Sequence, residues 1–287
     1  MNPVRKYRNI KSPKNSALSR NNFEFSNGVN KEIYNPLRLR EIFHLEFLRW
    51  LGKKVNLSYY ALKGGVNLRF FYNSFRYSED MDLNTHIIRV DVLQDKVMQI
   101  LKSIPFQNNL QPFGIDKIIL PDITKAKQTQ TTQRFKIHLI TPQREDFFTK
   151  IEFSRRKFEN NVKVETVSNI ILREYKLAPF LVPHYDIISA VSQKLDALAT
   201  RKIIQARDAF DIYILSTQIE SSNKEKIKLS PEKINKSCKN IFDISFEQFR
   251  NTVISYLSKE DQKMYNSPRS WEEIRLRAVN FIGEFKK

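Results

Sequence analysis

Leu62-Lys63-Gly64-Gly65-Val66-Asn67-Leu68 and, shortly after it, Arg76-Tyr77-Ser78-Glu79-Asp80-Met81-Asp82-Leu83 organise this sequence. Tyr59 to Leu62 is short, aromatic and apolar, the pattern of a strand. Lys63-Gly64-Gly65 turns the chain, and Val66 to Phe75 follow at helical spacing. Ser78 to Leu83 then reads as a turn feeding a second strand. Alternation along that strand points Asp80 and Asp82 the same way. Two carboxylates so placed repel each other unless a cation lies between them. Such oxygen ligands suit Mg²⁺, which binds through one or two carboxylates plus substrate phosphates. Gly64 and Gly65 supply the complement, because glycine lets backbone N–H groups approach phosphate oxygens and a helix N-terminus favours anions. Asp-x-Asp alone is often a solvated strand end, and a Gly pair is often an ordinary turn. The order strand, Gly-Gly, helix, carboxylate strand is what describes a nucleotide held beside metal.

The rest of the chain is compatible with such a site. With 287 residues, 41% of them hydrophobic and 21 of them Phe, it can build a substantial core. Lys and Arg total 49 against 31 Asp and Glu, a net charge of +18 that calls for a polyanionic counterpart. The single cysteine, Cys238, excludes an internal disulfide and a Cys-built zinc site. No apolar run is long enough to span a bilayer, so a cytoplasmic protein with no membrane partner is expected. Residues 1–30 carry scattered basic residues and no apolar stripe, which predicts a flexible basic arm.

Asn35-Pro36 caps a first helix whose apolar face runs through Leu39, Phe43, Phe47 and Trp50 to about residue 52. A helix is expected over 91–103, a long polar stretch over 105–133, and a hairpin from Phe135 to Ile140 and Phe147 to Phe153. From about residue 165 the pattern becomes helical. Pro183 and Asp186 open a helix over 187–202, another covers 206–218, and Pro231 opens a further helical region. Ser270-Trp271-Glu272-Glu273 reads as a capping box starting the last helix. The expected division is therefore a core over 31–165 and a helical domain over 166–287.

Together these motifs resemble the AbiEii toxin family of polymerase-β-like nucleotidyltransferases. The second half adds Val191-Ser192-Gln193-Lys194-Leu195-Asp196-Ala197, similar to the family's Leu-x-x-Lys-x-x-Ala helix. Arg207-Asp208-Ala209-Phe210-Asp211-Ile212-Tyr213 is similar to its Arg-Asp-x-x-Asp helix. The resemblance spans about residues 36–218. It implies an α+β fold: a nucleotidyltransferase core with a small mixed sheet, followed by a helical C-terminal half. It also implies that Lys63, Gly64, Gly65 and Ser78 bind the triphosphate, and that Asp80 and Asp82 bind Mg²⁺. Lys194 would contact the triphosphate, and Asp208 or Asp211 would take a catalytic or site-organising part. The activity implied is transfer of a nucleotide from a nucleoside triphosphate to RNA, with the tRNA 3′ end as first acceptor, blocking translation. Such proteins are toxins of toxin–antitoxin and phage-defence pairs, so an antitoxin from a neighbouring gene is an expected partner. Transfer to a protein hydroxyl, or an inactive nucleotide- or RNA-binding module, are the alternatives.

The residues support parts of this independently. Ala190 and Ala197 flank Lys194 at helical spacing and leave its ammonium room beside a ligand, although a surface lysine would read the same way. Asp208 and Asp211 share a helical face near its N-terminus, where dipole complementation or pairing with Arg201 or Arg207 would also place them. Glu152, in Lys150-Ile151-Glu152-Phe153-Ser154, is the candidate third metal carboxylate, ahead of Asp91, Asp95 and Asp146. Arg155, Arg156 and Lys157 follow it as a cluster that could grip phosphates. His44, His86, His138 and His184 lack metal-ligand spacing.

Overall fold

A computed structural model of the chain describes residues 35–156, 158 and 161–286. The basic arm expected over 1–30, and Lys157, lie outside them. The chain opens with α1 (Pro36–Lys54), capped by the Asn35 side chain as the sequence predicts. Then come β1 (Tyr60–Lys63), α2 (Gly64–Phe71), β2 (Met81–Thr85), α3 (Val90–Lys102) and α4 (Ile104–Leu110). The polar stretch that follows hides a short strand, β3 (Lys117–Ile119), before the long hairpin β4 (Thr132–Ile140) and β5 (Asp146–Ser154).

The helical pattern expected from residue 165 begins later. β6 (Val162–Thr166), α5 (Asn169–Glu174) and β7 (Leu181–Tyr185) still belong to the sheet layer. The seven strands lie in the order β3-β4-β5-β2-β1-β7-β6, with β2/β5 and β1/β7 parallel and the other neighbours antiparallel. The mixed sheet thus takes in seven strands, the last of them ending at Tyr185. Pro183 misleads because it reads as a helix opener, whereas here it sits inside β7 opposite Val164 of β6. Asp186, next in line, does cap the helix that follows.

The helical half contains α6 (Ile187–Thr200), α7 (Ala206–Ser216), α8 (Ser221–Lys224), α9 (Pro231–Phe242), α10 (Phe246–Thr252), α11 (Lys259–Tyr265) and α12 (Pro268–Gly283). The predicted start of the last helix is corrected. Ser267 is its cap and Pro268 its first residue, while the reciprocal capping box belongs to Ser245 and Gln248 on α10. Pro268 is suited to the first turn, where its missing N–H costs nothing.

Two cores meet at the site. One packs α1, α3 and α4 on one face of the sheet, around Phe43, Phe47, Phe106, Phe135 and Phe153. The other lies among the C-terminal helices, around Phe210, Phe249 and Trp271. Helix α2 joins them, with Val66 and Phe70 in the first and Leu68 in the second. Between α2 and β2, the Tyr77 N–H donates to the Tyr256 carbonyl at 2.8 Å, tying that segment to the C-terminal helices. Among the described residues no helix is long and apolar enough to cross a membrane.

Candidate active site

The glycines define the floor. β1 ends at Lys63 and α2 begins at once, so the turn must be made within the helix's first residue. Gly64 makes it at φ +68°, and a Cβ there would meet Asp82 Oδ2 at 3.1 Å. A side chain is excluded by conformation and by contact. At Gly65 a Cβ would collide with the Ser78 hydroxyl and press on the Arg76 guanidinium. The unpaired N–H groups of the first turn of α2 thus lie bare beside the carboxylate strand.

The carboxylates sit on the neighbouring strands. Asp82 lies opposite Lys63 on β1 and beside Glu152 on β5. Asp80, just before β2, accepts the Lys150 backbone N–H at 3.1 Å and contacts the Lys150 ammonium at 2.7 Å. Glu152 is held by Arg134 at 2.6 Å. Burial raises the Asp82 carboxyl above the ordinary range; Lys63 opposes that, while Glu152 and Asp80 push it further up. A cation would relieve that repulsion, and the oxygen-only donors suit a hard divalent ion. The three carboxylates therefore fit Mg²⁺ by chemistry and register. They do not converge as they stand: among the described residues no three acidic, His or Cys side chains are gathered tightly enough to hold a metal ion. Asp80 and Glu152 are each turned onto a basic neighbour. Asp146, a weaker candidate, lies on the far end of β5 with His138 at 2.8 Å, and Asp91 is exposed and paired with Arg89.

The segment before β2 is braced from below. The Thr149 hydroxyl donates to the Glu79 carbonyl at 2.7 Å, so it accepts from His44, whose Nε2 lies 2.8 Å away. His44 is buried, and burial followed by the nearby Arg40 charge pushes it down to about 3. It is a neutral structural histidine.

Helices α6 and α7 form the opposite wall. Lys194 contacts Asp208 at 3.0 Å and Asp211 at 2.6 Å, and Arg76 bonds both oxygens of Asp211 at 3.1 and 3.2 Å. Arg201 lies 3.0 Å from Asp208, close in charge but not aligned as a hydrogen bond. Burial alone would lower Lys194, but Asp211 and Asp208 hold its ammonium above the usual lysine value. Burial alone would raise Asp211, but Arg76 and Lys194 hold it below the carboxylate range. Asp208 and Asp211 are both fully buried. Asp211 is enclosed by Arg76 and Lys194, whereas Asp208, bonded to Lys194, also lines the chamber that runs past Glu152. Lys194 has three N–H donors and spends two on these carboxylates, leaving one for a phosphate.

The C-terminal helices close the cleft. The Tyr256 hydroxyl donates to Glu79 at 2.8 Å, with Asn251 and Arg207 beside it. The resulting cleft, about 340 Å³, holds Gly64, Gly65, Ser78, Asp80, Asp82 and Lys194. A second chamber shares Gly64, Asp82 and Lys194 with it and continues past Glu152 to Ser154 and Arg156. Both are within the size of small-molecule sites, roughly 300–1,000 Å³.

Sequence reasoning gave no part to Arg76, Tyr256 or Asn251. Arg76 stands within the quoted motif, and its isolation among aromatic and polar neighbours was the available signal. Asn251, near the end of α10, and Tyr256, in the 3-10 turn just after it, come from far along the chain and carry no local signal. Asn67 is buried and donates to the Tyr185 carbonyl at 3.1 Å.

A family model for the nucleotidyl transferase AbiEii toxin of a type IV toxin–antitoxin system matches residues 49–275. The chain belongs to this family. It is a nucleotidyltransferase of a toxin family, which implies a nucleoside triphosphate substrate and suggests an antitoxin partner. Among solved structures it resembles MenT4, a nucleotidyltransferase toxin of Mycobacterium tuberculosis, with TM-score 0.56 at 14% identity over 87% of this chain and 84% of that one. A candidate nucleotidyltransferase of Helicobacter pylori aligns with TM-score 0.50 at 19% identity, over 86% of this chain and 95% of that one. At these identities the neighbours speak for the fold alone. None of the curated proteins matches the chain.

Proposed function

We propose that this AbiEii nucleotidyltransferase moves a nucleotide from a nucleoside triphosphate to RNA, the tRNA 3′ end first, and so stops translation. The observation that carries the reading is the meeting of two chambers at Gly64, Asp82 and Lys194, one for each substrate of a transfer. The α2 N-terminus, Ser78 and the free Lys194 donor hold the triphosphate. Asp80 and Asp82, with Glu152, would hold Mg²⁺, which when bound neutralises phosphate charge. The acceptor hydroxyl oxygen bonds to the α-phosphorus, the bond to the bridging β-phosphate oxygen breaks, and pyrophosphate departs toward Lys194 and Arg201. Glu152, on the acceptor side, takes the hydroxyl proton. Positioning and fixed charge supply most of the acceleration in such transfers.

The test is incubation with each α-labelled nucleoside triphosphate, Mg²⁺ and total tRNA, beside tRNA whose 3′ diol has been oxidised by periodate. Label on intact tRNA only supports a 3′-end transferase. Equal label on oxidised tRNA rejects the 3′ end, and label on protein alone rejects RNA as acceptor.

A further inference from the structure

The sheet carries a feature that the cleft does not use. On β4 and β5 the residues Phe135, Ile137, Ile151 and Phe153 are buried in the core. Because side chains alternate, Arg134, Lys136 and His138 of β4 and Phe148, Lys150 and Glu152 of β5 share the other, solvent-open face. Pairing sets Arg134 beside Glu152, Lys136 beside Lys150, and His138 beside Phe148. β3 extends the face with Ile119 beside His138 and with Lys117. Glu152 is itself in register with Asp82. The face therefore starts at the site carboxylates and runs diagonally: Phe148 lies four residues, ~13 Å, along β5 from Glu152, and Lys117, at the β3 edge, is roughly 25 Å from Asp82.

Arg134, Lys150 and His138 each have an acidic partner within the fold, but among the described residues Lys136 and Lys117 have none. Lys136 stands directly opposite Lys150, a pairing that destabilises a sheet. Lys136 makes no ion pair among the described residues, and its ammonium lies 4.3 Å from the centre of the Phe148 ring. Lys117 is exposed, Ile119 is 45% exposed, and Phe148 is only half-buried. An aromatic ring half open to solvent, with Lys136, Arg40 and His138 around it, suits a polyanion whose unstacked base can displace the Lys136 ammonium, which is a single-stranded polynucleotide. The row lies on the Glu152 side of Asp82, away from the Gly64–Gly65 turn that takes the triphosphate, so it is placed for the acceptor.

We propose that this open face is the docking track for the 3′-terminal nucleotides of a single-stranded RNA acceptor. Lys136 and Lys117 meet its phosphates, Phe148 stacks on a base, and the terminal hydroxyl is delivered to Glu152. The proposal rests on RNA being the acceptor. Duplex RNA lacks the unstacked base and binds more weakly.

The test uses the full chain and a short single-stranded RNA labelled at its 5′ end, read by fluorescence anisotropy, with the KM for RNA in the transfer reaction. Phe148→Ala weakens binding roughly tenfold. Lys136→Gln lowers the slope of log affinity against log salt by about 0.7, and Lys117→Gln by no more than that. Affinity for a non-hydrolysable nucleoside triphosphate stays at the wild-type value in all three, which shows that each is folded. A wild-type protein that labels RNA while Phe148→Ala and Lys136→Gln keep its RNA KM and salt slope overturns the track alone. A wild-type protein that labels only protein and binds no RNA overturns the acceptor reading, and the track with it.

Discussion

On the sheet wall of the cleft Asp82 stands beside Asp80 and Glu152 with its carboxyl held above the ordinary range, whereas on the helical wall Asp211 is fully buried and held below it. Burial acts on both in the same direction. The difference lies in company: Asp82 faces two further carboxylates with Lys63 opposing them, while Asp211 is gripped by Arg76 and Lys194. On the sheet wall three carboxylates crowd one another, Asp80 and Glu152 each with one basic partner, whereas on the helical wall Arg76 and Lys194 converge on one carboxylate. One side is built to receive a ligand. The other is a rigid support that aims Lys194 and Arg76 at it.

Paired substitutions break this contrast most sharply. Asp82→Asn lowers nucleotide transfer by about a thousandfold or more, while its urea midpoint does not fall, because a repelled charge has been removed. Asp211→Asn does the reverse, costing ~3–5 kcal/mol of stability by leaving Arg76 and Lys194 buried without their carboxylate. Equal stability losses in the two variants would erase the distinction between the walls.

Lys194→Ala sharpens it next. Read from sequence, Lys194 is an ammonium with room beside a ligand, and its removal should spare the fold. In the structure it neutralises two buried carboxylates. Its loss should lower the unfolding free energy by about 3 kcal/mol as well as the rate, which urea titration and turnover measure separately. Glu152→Gln comes third, with a rate loss of roughly 10–100-fold and an unchanged melting temperature. An unaffected rate removes Glu152 from the site.

The smallest effect concerns the brace under β2. His44 is neutral in the fold and titrates near 6.5 when unfolded. Between about 6.5 and 3 the unfolded chain binds a proton that the folded chain refuses, so stability is complete above that window and declines as pH falls through it. From pH 7 to 4.5 the loss from this group is about 2.5 kcal/mol. His44→Gln, which keeps a donor for Thr149 and does not titrate, should show a flatter acid limb in denaturant titrations.

What the sequence made legible was local. The Gly64–Gly65 turn, the Asp80–Asp82 alternation, the Asn35 cap and the β4–β5 hairpin each rest on neighbours a few residues apart, where period and turn chemistry decide the outcome. The pairing of β7 with β1, the Arg76–Asp211 bridge and the Tyr256–Glu79 bond join residues far apart in the chain. No periodicity records such pairings. The buried state of Asp208 and Asp211 was hidden for the same reason: their spacing gives a shared face, but not what that face meets. The basic row on the hairpin was readable as alternation, yet only the register of β5 on β2 aligns it with Asp82.

If Asp82 and the Gly64–Gly65 turn hold a metal-bound nucleotide for transfer, labelling must need both Asp82 and Mg²⁺. The most direct test compares wild type, Asp82→Asn and Asp211→Asn, with α-labelled nucleoside triphosphates and total RNA, in Mg²⁺ or in EDTA. The expected result is label on RNA from the wild type in Mg²⁺ and none in EDTA. A fully folded Asp82→Asn should give none, and Asp211→Asn a yield reduced in proportion to its folded fraction and displaced Lys194. Wild-type labelling by Asp82→Asn, or labelling that persists in EDTA, would contradict that assignment.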